Sequence, residues 1–452
     1  MFAQLPQYRD TRPDEFWATR VPAHWQSLPG MAVLVENKRR NKDLAESQVL
    51  SLSYGRVVVK PVEKQRGLVP DSYEGYQVLE PGNIVIRPTD LQNDQTSVRV
   101  GVVRDRGIIT SAYIGLRSKA PWMTDYAHAY LTVVDSTKRV YAMGSGLRQQ
   151  LGWPDLKRMP CLVPPSEEQE AIVRYLAHAN ARIDKAIIAK RRLVDLLEEE
   201  KTAVLARVIG EATGDRMRLK HVASIQTGLT LGKDYREQPL IEYPYLRVAN
   251  VQMGHVDTTD VATVAVPTAE AERCTLRVGD VLMTEGGDID KLGRGTVWDG
   301  SVDGCLHQNH VFAVRCQARL LPEFLAAWLA APEARFYFYV TAKKTTNLAA
   351  TNSTTVRELP MVVPPLDEQR RLLALLSAQS KPVDLAKTKA ASEIELLREF
   401  RGRLVADVVT GQVDVRELAE SLPEPAAVST AVGVLQDTAE LGVDDVMEMS
   451  EV

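Results

Sequence analysis

The sequence has few cysteines, no long apolar run and no apolar N-terminal segment, and these absences limit what kind of protein it is. Its 452 residues include four cysteines, at positions 161, 274, 305 and 316, without the spacing of a disulfide framework. No apolar run approaches the roughly 18–20 residues of a membrane span. The N-terminal MFAQLPQYRDTRPDEF lacks the apolar core of a signal peptide. We therefore expect a cytoplasmic protein in a reducing compartment.

Motifs for catalysis and cofactor binding are lacking as well. The segment from Gly228 to Asp234 looks like a phosphate-binding loop, but it is one residue short and has Asp where a Mg²⁺-binding hydroxyl belongs. The segment from His307 to His310 lacks the glutamate of the HExxH zinc motif. No G-x-G-x-x-G fingerprint and no Asn-Pro-Pro-Tyr-like methyltransferase motif occurs. We expect no catalytic residue, no metal and no cofactor, and a phosphate or metal site at these two segments is the weaker alternative.

The net charge of −4 argues against nucleic-acid binding until its distribution is considered. Residues 411–452 contain ten acidic residues and one basic residue, a net charge of −9, so the remaining chain carries +5. A mildly basic body is compatible with DNA contact, although a solvated surface explains it equally well. The acidic tail is expected to be largely disordered or to form a short docking segment.

The chain contains an internal repeat with an offset of 200 residues and no gap. The segment LKRMPCLVPPSEEQ, starting at Leu156, is repeated as VRELPMVVPPLDEQ, starting at Val356. Over 53 aligned positions, 14 residues are identical, against about three expected by chance at typical residue frequencies. The repeat therefore predicts two related structural units.

Each copy of the repeat predicts the start of a long helix. The Pro-Pro pair ends an extended segment, because proline restricts the preceding residue to extended geometry. In the first copy Ser166 stands at the N-cap position and Gln169 follows at capping-box spacing. In the second copy Asp367 is the expected cap, and Pro382 is expected to kink or break the helix.

Apolar residues in both helices follow the 4-3 spacing of a coiled-coil seam, with polar breaks at Lys190, Gln379 and Glu393. Two matched helices of about 43 residues, each about 64 Å long, favour packing of one helix on the other. Core helices in two separate domains are the alternative. The predicted seam residues are Ile172, Leu176, Ala179, Ile183, Ala186, Leu193, Leu197 and Val204, and then Leu372, Leu376, Val383, Ala386, Ala390, Leu397, Phe400 and Leu404.

The segments ahead of the helices are also related to each other. LEPGNIVI at 79–86 matches LRVGDVLM at 276–283, and Lys42-Asp43 and Lys233-Asp234 hold similar places. Both segments are rich in Val, Ile, Thr, Tyr and Gly with frequent turns, which predicts mixed, largely β domains. The expected fold class is α+β, with two β-rich domains, two long helices in an antiparallel coiled coil and a pseudo-two-fold internal repeat. The expected boundaries are 1–155, 156–215, 216–355, 356–411 and 412–452.

This arrangement resembles the specificity subunits of type I restriction-modification systems over nearly the whole chain. The resemblance rests on VPAHW at Val21 to Trp25, on the PPSEEQ and PPLDEQ helix starts, and on ADVVTGQVDV at 406–415. It implies that the two variable parts are target-recognition domains and that the repeated parts form a helical spacer. It also implies a non-catalytic subunit, in which each domain reads one half of an asymmetric bipartite DNA site. The helices would then set the spacing and dock two modification (methyltransferase) subunits, which restriction or translocase subunits join.

Candidate DNA-contacting residues are basic, amide and hydroxyl side chains in loops, because such groups hold phosphates or read base edges. The loops MGSGLRQQ and TAKKTTN are favoured, since they occupy equivalent places ahead of the Pro-Pro pairs. For the other residues, turn chemistry or solvated charge is the alternative. The candidates are Tyr54, Arg56, Lys60, Arg87, Gln92, Asn93, Ser97, Arg99, Ser145, Arg148 and Gln149, and in the second domain Lys291, Arg294, Gln308, Asn309, His310, Lys343, Lys344, Thr345 and Asn347.

The alternative function is an interaction scaffold, a non-catalytic coiled-coil protein with two β-rich ligand-binding domains and no role on DNA. A salt-dependent DNA shift assay in the presence of the modification subunit discriminates between the two functions.

Overall fold

The chain folds into two compact units, each with a β-rich domain and half of each of two long helices. The structure, a computed structural model, describes residues 5–53, 55–61, 72–89, 99–139, 143, 151–235, 238–252, 254–287, 289, 292–344 and 349–423. The first unit comprises Met1–Arg191 and Ala391–Val452, and the second comprises Arg192–Ala390. The α+β fold class is confirmed.

The strands are short. Those of the first unit are β1 (Thr11–Asp14), β2 (Thr19–Pro22), β3 (Gln26–Pro29), β4 (Leu34–Glu36), β5 (Leu50–Ser53), β6 (Arg56–Val59), β7 (Gln77–Leu79), β8 (Ile84–Ile86), β9 (Val100–Val102), β10 (Gly107–Ile109), β11 (Ile114–Ser118) and β12 (Pro160–Val163). Those of the second are β13 (Asp215–Arg218), β14 (Ala223–Thr227), β15 (Ile241–Leu246), β16 (Ala262–Val266), β17 (Val281–Thr284), β18 (Gly286–Gly287), β19 (Gly295–Val297), β20 (Leu306–His307), β21 (Val311–Cys316), β22 (Lys343–Lys344), β23 (Ala349–Ala350) and β24 (Pro360–Val363).

The helices differ widely in length. They are α1 (Gly30–Val33), α2 (Thr124–Ser136), α3 (Trp153–Leu156), α4 (Ser166–Gly210), α5 (Thr268–Cys274), α6 (Pro322–Ala330), α7 (Pro332–Thr341), α8 (Ser353–Arg357), α9 (Leu366–Val409) and α10 (Arg416–Glu420). No helix in the described part of the chain is long and apolar enough to cross a lipid bilayer.

The central sheet has the same topology in both domains. Its antiparallel order is β4-β11-β8-β9 in the first domain and β14-β21-β17-β19 in the second. A two-stranded antiparallel ribbon, β3 with β12 and β13 with β24, then leads into the Pro-Pro pair in each unit. The repeat detected in the sequence therefore extends to the strand pairing within each unit.

The turn before the third strand of each sheet confirms the relation between residues 79–86 and 276–283. Gly82 and Gly279 have φ values of +87° and +89°, a conformation that glycine adopts without a steric cost. Next to them, Asn83 and Asp280 each accept a side-chain hydrogen bond from the backbone N–H three residues earlier, at 3.1 and 2.8 Å. Two different side chains thus close the same turn.

The two long helices are close to the predicted length, with 45 residues in α4 and 44 in α9. Helix α9 continues through Pro382. Of the two predicted effects of this proline, the break is therefore wrong and the kink stays a prediction. Within each unit the two helices run antiparallel, because residues later in α4 contact residues earlier in α9. In the first unit Lys190 donates to Glu393 and Arg401 donates to Asp184, and in the second Lys201 donates to Asp384.

The predicted seam is correct in part. Ile172, Leu176 and Ile183 are buried, as expected. Leu193, by contrast, is 43% exposed, and Ile187, which the 4-3 pattern omitted, is 2% exposed. The polar breaks are paired across the helices, since Lys190 meets Glu393 in the first unit and Gln379 accepts from Arg207 at 2.7 Å in the second.

The first part of the predicted acidic tail is docked on the first unit. The backbone N of Asp414 donates to the carbonyl of Pro6 at 2.8 Å, and the side chain of Gln412 donates to the carbonyl of Arg20 at 2.6 Å. Val415 is fully buried. The segment ADVVTGQVDV thus packs against the N-terminal arm, and residues 424–452 lie outside the described part of the chain.

Candidate nucleic-acid interface

A buried glutamine at each helix start fixes the β-rich domain to its helix. In the first unit the Gln169 side chain accepts a hydrogen bond from the backbone N of Met123 at 2.9 Å and donates to the carbonyls of Pro121 and Pro164. The backbone N of Gln169 already donates to the Pro165 carbonyl. The capping-box prediction is therefore wrong for Gln169, because its amide bonds to the domain and to the Pro-Pro turn instead.

The second unit repeats this attachment. The Gln369 side chain accepts from the backbone N of Leu321 at 2.9 Å and donates to the carbonyls of Arg319 and Pro364, each at 2.8 Å. Both glutamines are fully buried. Asp367, the expected cap, instead pairs with Arg370 on the helix surface. Each domain is thus held on its helix by two corresponding bonds, and a third bond ties the glutamine to the Pro-Pro turn.

The first unit has a further attachment at Glu168, which is buried. Its carboxylate accepts hydrogen bonds from the Tyr8 hydroxyl and from Trp25 Nε1 at 3.0 Å, and it contacts His24 Nε2 at 2.8 Å. The guanidinium of Arg416 lies over the Tyr8 ring, 5.1 Å from its centroid. Burial, followed by the hydrogen bond to Glu168, raises the pKa of Tyr8. The N-terminal arm and the docked C-terminal segment therefore meet at the start of α4.

In the second domain the structure brings together three loops that contain predicted DNA contacts. Glu285 follows β17, and its backbone N donates to the carbonyl of His310 while its carboxylate contacts His310 Nδ1 at 2.6 Å. The Glu285 carbonyl accepts from the backbone N of Thr351 at 2.8 Å. Strand β23 pairs with β18 on one side and with Lys343 and Lys344 of β22 on the other. The described parts of EGGDIDKLGRG, LHQNH and TAKKTTN thus meet around Glu285, which sequence analysis did not single out.

In the first domain the described ends of the corresponding segments meet. The backbone N of Leu151, just after MGSGLRQQ, donates to the carbonyl of Pro88 at 3.0 Å, at the start of the β8–β9 connection. This bond corresponds to the Thr351–Glu285 bond of the second domain. Leu151 and Thr351 are 200 residues apart, and each lies 13 residues before the Pro-Pro pair of its unit. Both domains therefore present the connection between the third and fourth strands of the sheet beside the segment that leads to the helix.

The described candidates differ in exposure. Arg56, His310, Lys343 and Lys344 are exposed, whereas Lys60, Arg87, Arg294, Gln308 and Asn309 are partly buried. Arg56 begins β6, whose hairpin with β5 packs on β9 at Gly101. Ten candidates lie outside the described residues, namely Tyr54, Gln92, Asn93, Ser97, Ser145, Arg148, Gln149, Lys291, Thr345 and Asn347.

Arg99 is buried within the first domain. The residue is 2% exposed, and its Nη1 donates to the carbonyl of Thr89 at 2.5 Å. Its backbone N donates to the carboxylate of Asp135 on α2 at 2.8 Å. Arg99 thus closes the base of the β8–β9 connection, and a contact between Arg99 and DNA stays a prediction.

The two segments considered for phosphate and metal binding have other partners. Lys233 donates to Glu270 at 2.9 Å. His307 is fully buried with Nδ1 2.7 Å from the carbonyl of Val311, and burial lowers its pKa to about 4. Among the described residues, no group of three or more His, Cys, Asp or Glu side chains is placed to hold a metal ion.

In sequence, the chain is similar to type I restriction enzyme specificity subunits. The type I restriction enzyme EcoKI specificity subunit of Escherichia coli (strain K12) is 25% identical over 308 residues, covering 61% of this chain and 65% of the relative. The StySPI specificity subunit of Salmonella potsdam is 23% identical over 305 residues, with the same coverage. The matches thus span just under two thirds of the length of these relatives. No family model matches the chain.

A solved structure supports the same relation at the level of the fold. One solved chain superposes on this chain with a TM-score of 0.62 at 16% identity. Its structure was solved to explain complex assembly and conformational transition of the type I R-M system. The superposition covers 87% of this chain and all of that chain. In sequence, this chain is therefore similar to type I restriction enzyme specificity subunits, and it has the fold of a chain from a solved type I restriction-modification system.

Proposed function

We propose that this chain is the DNA sequence-recognition subunit of a type I restriction-modification complex, and that each β-rich domain reads one half of an asymmetric bipartite site. The observation that carries the proposal is the repeated loop pair. In both domains the connection after the third strand of the sheet is bonded to the segment ahead of the helix, through Leu151 and Pro88 or through Thr351 and Glu285. Exposed lysines at 343 and 344 stand at this place in the second domain.

The two halves of the site differ because the two loop pairs differ. At the place where the second domain has Lys343 and Lys344, the first has the MGSGLRQQ segment with Arg148 and Gln149. Arginine and amide side chains form bidentate contacts with guanine and adenine edges, whereas lysine also holds phosphates as a point charge. The first domain would thus read base edges with this segment, whereas Lys343 and Lys344 would hold phosphates, so the two domains would read different half-sites.

Domain exchange tests this proposal. Residues 216–355 are replaced by the second domain of another type I specificity subunit, and the methylated motif in cells is mapped by methylome sequencing. We expect only one half of the motif to change, because Gln169 and Gln369 attach the two domains independently. The reciprocal exchange of residues 20–155 is the matched control and should change the other half. A motif altered in both halves by a single exchange would contradict the proposal.

The same proposal assigns the helices a docking role and makes the chain a non-catalytic, cytoplasmic subunit. Two modification subunits would bind α4 and α9, because the repeat supplies two related surfaces. The helices would also set the gap between the half-sites. Native mass spectrometry of the active methylating complex tests the stoichiometry, and a fully active complex with a single modification subunit would contradict it. The chain purified alone should transfer no methyl group to DNA.

A further inference from the structure

Helix α7 exposes a row of large apolar side chains that nothing in the described structure covers. Phe336, Tyr339 and Val340 are 68%, 53% and 57% exposed. Their spacing of three and four residues places them on one face of the helix. The opposite face is anchored in the domain, since Ala334 and Phe338 are buried. The exposed row is thus held rigidly on the surface.

Positive charge follows this row directly. Lys343 and Lys344 form β22 and are exposed, and Lys344 Nζ lies 4.0 Å from the centroid of the Tyr339 ring. Among the described residues, no carboxylate forms an ion pair with either lysine. We call the five residues Phe336, Tyr339, Val340, Lys343 and Lys344 the α7 patch.

The α7 patch is continuous with the candidate interface of the second domain. Arg335 donates to the carbonyl of Leu292, and a side chain at Gly293 would overlap the Phe338 ring. Gly293 has φ +78°, so glycine fits both the backbone conformation and the close contact. Strand β22 pairs with β23, which pairs with β18 after Glu285. The helix is therefore fixed to the same loops that carry Lys291 and Arg294.

We propose that the α7 patch holds duplex DNA beside the half-site that the second domain reads, with the lysines on phosphates and Phe336 and Tyr339 against the sugars of the backbone. The inference rests on the proposed function. Charge complementarity favours DNA as the occupant, because unpaired lysines next to aromatic faces match a phosphate backbone flanked by apolar sugar edges. The patch is a positioning contact, since neither lysine–phosphate nor aromatic–sugar contacts distinguish one base from another.

The test uses the full chain co-purified with its modification subunits and a duplex that carries the motif found by methylome sequencing. Kd is measured by fluorescence anisotropy at several salt concentrations. The variant Lys343→Ala, Lys344→Ala should weaken binding and reduce the slope of log Kd against log salt by about two, because two phosphate contacts are lost. The variant Phe336→Ser, Tyr339→Ser should raise Kd about tenfold without changing that slope. Both variants should methylate the unchanged motif, more slowly.

The control is Val278→Ser in the same domain, where the side chain is 76% exposed but lies away from the α7 patch in the sequence. It should leave Kd and the salt slope as in the wild type. If the wild-type complex binds the motif and both patch variants bind it equally well, the inference is wrong and the proposed function stands. If the wild-type complex shows no sequence preference, the proposed function itself fails. Weaker capture of modification subunits by the Phe336→Ser, Tyr339→Ser variant, with unchanged Kd for DNA, would overturn the inference in favour of a protein partner.

Discussion

The side-chain Oε1 of Gln169 accepts a hydrogen bond from the backbone N of Met123 at 2.9 Å, which fixes the start of helix α4 to the start of helix α2. The side-chain amide of Gln169 also satisfies two proline carbonyls, so one buried residue makes three bonds. Gln369 makes the corresponding bonds in the second unit. The glutamine shared by both repeats is therefore explained by domain attachment.

Replacing Gln169 with Leu should lower the free energy of unfolding by about 2 kcal/mol, because the fully buried amide and its three bonds to backbone groups are lost. The measurement is denaturant unfolding, with hydrogen exchange at the Met123 amide as the local readout. Gln379→Leu is the matched control, since Gln379 makes one exposed bond to Arg207, and it should change stability by less than about 0.5 kcal/mol. Equal effects of the two substitutions would contradict the attachment role.

Glu168 and Glu368 occupy the same place in the repeat but should respond differently to substitution. Glu168 is buried and is bonded by Tyr8 and Trp25, whereas the Glu368 side chain is 27% exposed and pairs with Arg371 one turn along the helix. Glu168→Gln should cost about 2–3 kcal/mol, because a buried acceptor of charge-assisted bonds is lost. Glu368→Gln should cost about 0.5 kcal/mol at most. Thermal and denaturant unfolding of both variants measure the difference, and matching losses would show that the Glu168 cluster adds nothing.

The repeat, the helix lengths and the fold class could be predicted from the sequence, because the offset of 200 residues and the helical spacing are visible along the chain. The roles of Glu168 and Gln169 could not. Glu168 bonds to residues 143 to 160 positions away, and nothing local distinguishes it from Glu368. Gln169 has the spacing of a capping box, so the sequence fits both a local bond at the helix start and the long-range bonds to the domain that Gln169 makes.

The candidate interface could be predicted only in part, because it too depends on contacts between residues that lie far apart in the sequence. Composition selects the loops but does not report burial, so it does not separate Arg99, which Asp135 and Thr89 hold inside the domain, from the exposed Arg56. The meeting of three loops at Glu285 depends on the pairing of β18, β22 and β23, which are each two residues long. Strands this short leave no periodic signal in the sequence.

Acid should destabilise the protein through two buried histidines. Burial lowers the pKa of both His128 and His307 to about 4, from an ordinary value of 6.5. The unfolded chain therefore takes up protons at a higher pH than the folded chain. The stabilisation is complete above about pH 6.5 and is lost as the pH falls from 6.5 towards 4, by about 2 kcal/mol per histidine at pH 5.

Denaturant unfolding at pH 7.5 and pH 5 measures this loss. The variant His307→Gln should be less stable at pH 7.5 but should lose less stability between the two pH values than the wild type does. His221→Gln is the control, because His221 is exposed, and its pH dependence should match that of the wild type. A pH dependence unaffected by His307→Gln would contradict the assignment.

The last prediction concerns the register of the two long helices. In the first unit Lys190 pairs with Glu393, and in the second Lys387 pairs with Glu198. Reversing one charge, as in Lys190→Glu, places two carboxylates together at a partly exposed site and should lower the free energy of unfolding by about 1 kcal/mol. Adding Glu393→Lys restores an opposite pair in the same place, so the double variant should recover most of that loss. Lys389→Glu is the control, because Lys389 lies at an exposed position of α9. A second substitution at Lys190 should not restore any free energy of unfolding that Lys389→Glu loses. Because only residues in contact show such coupling, the absence of rescue in the double variant would mean that the helices do not pack in this antiparallel register.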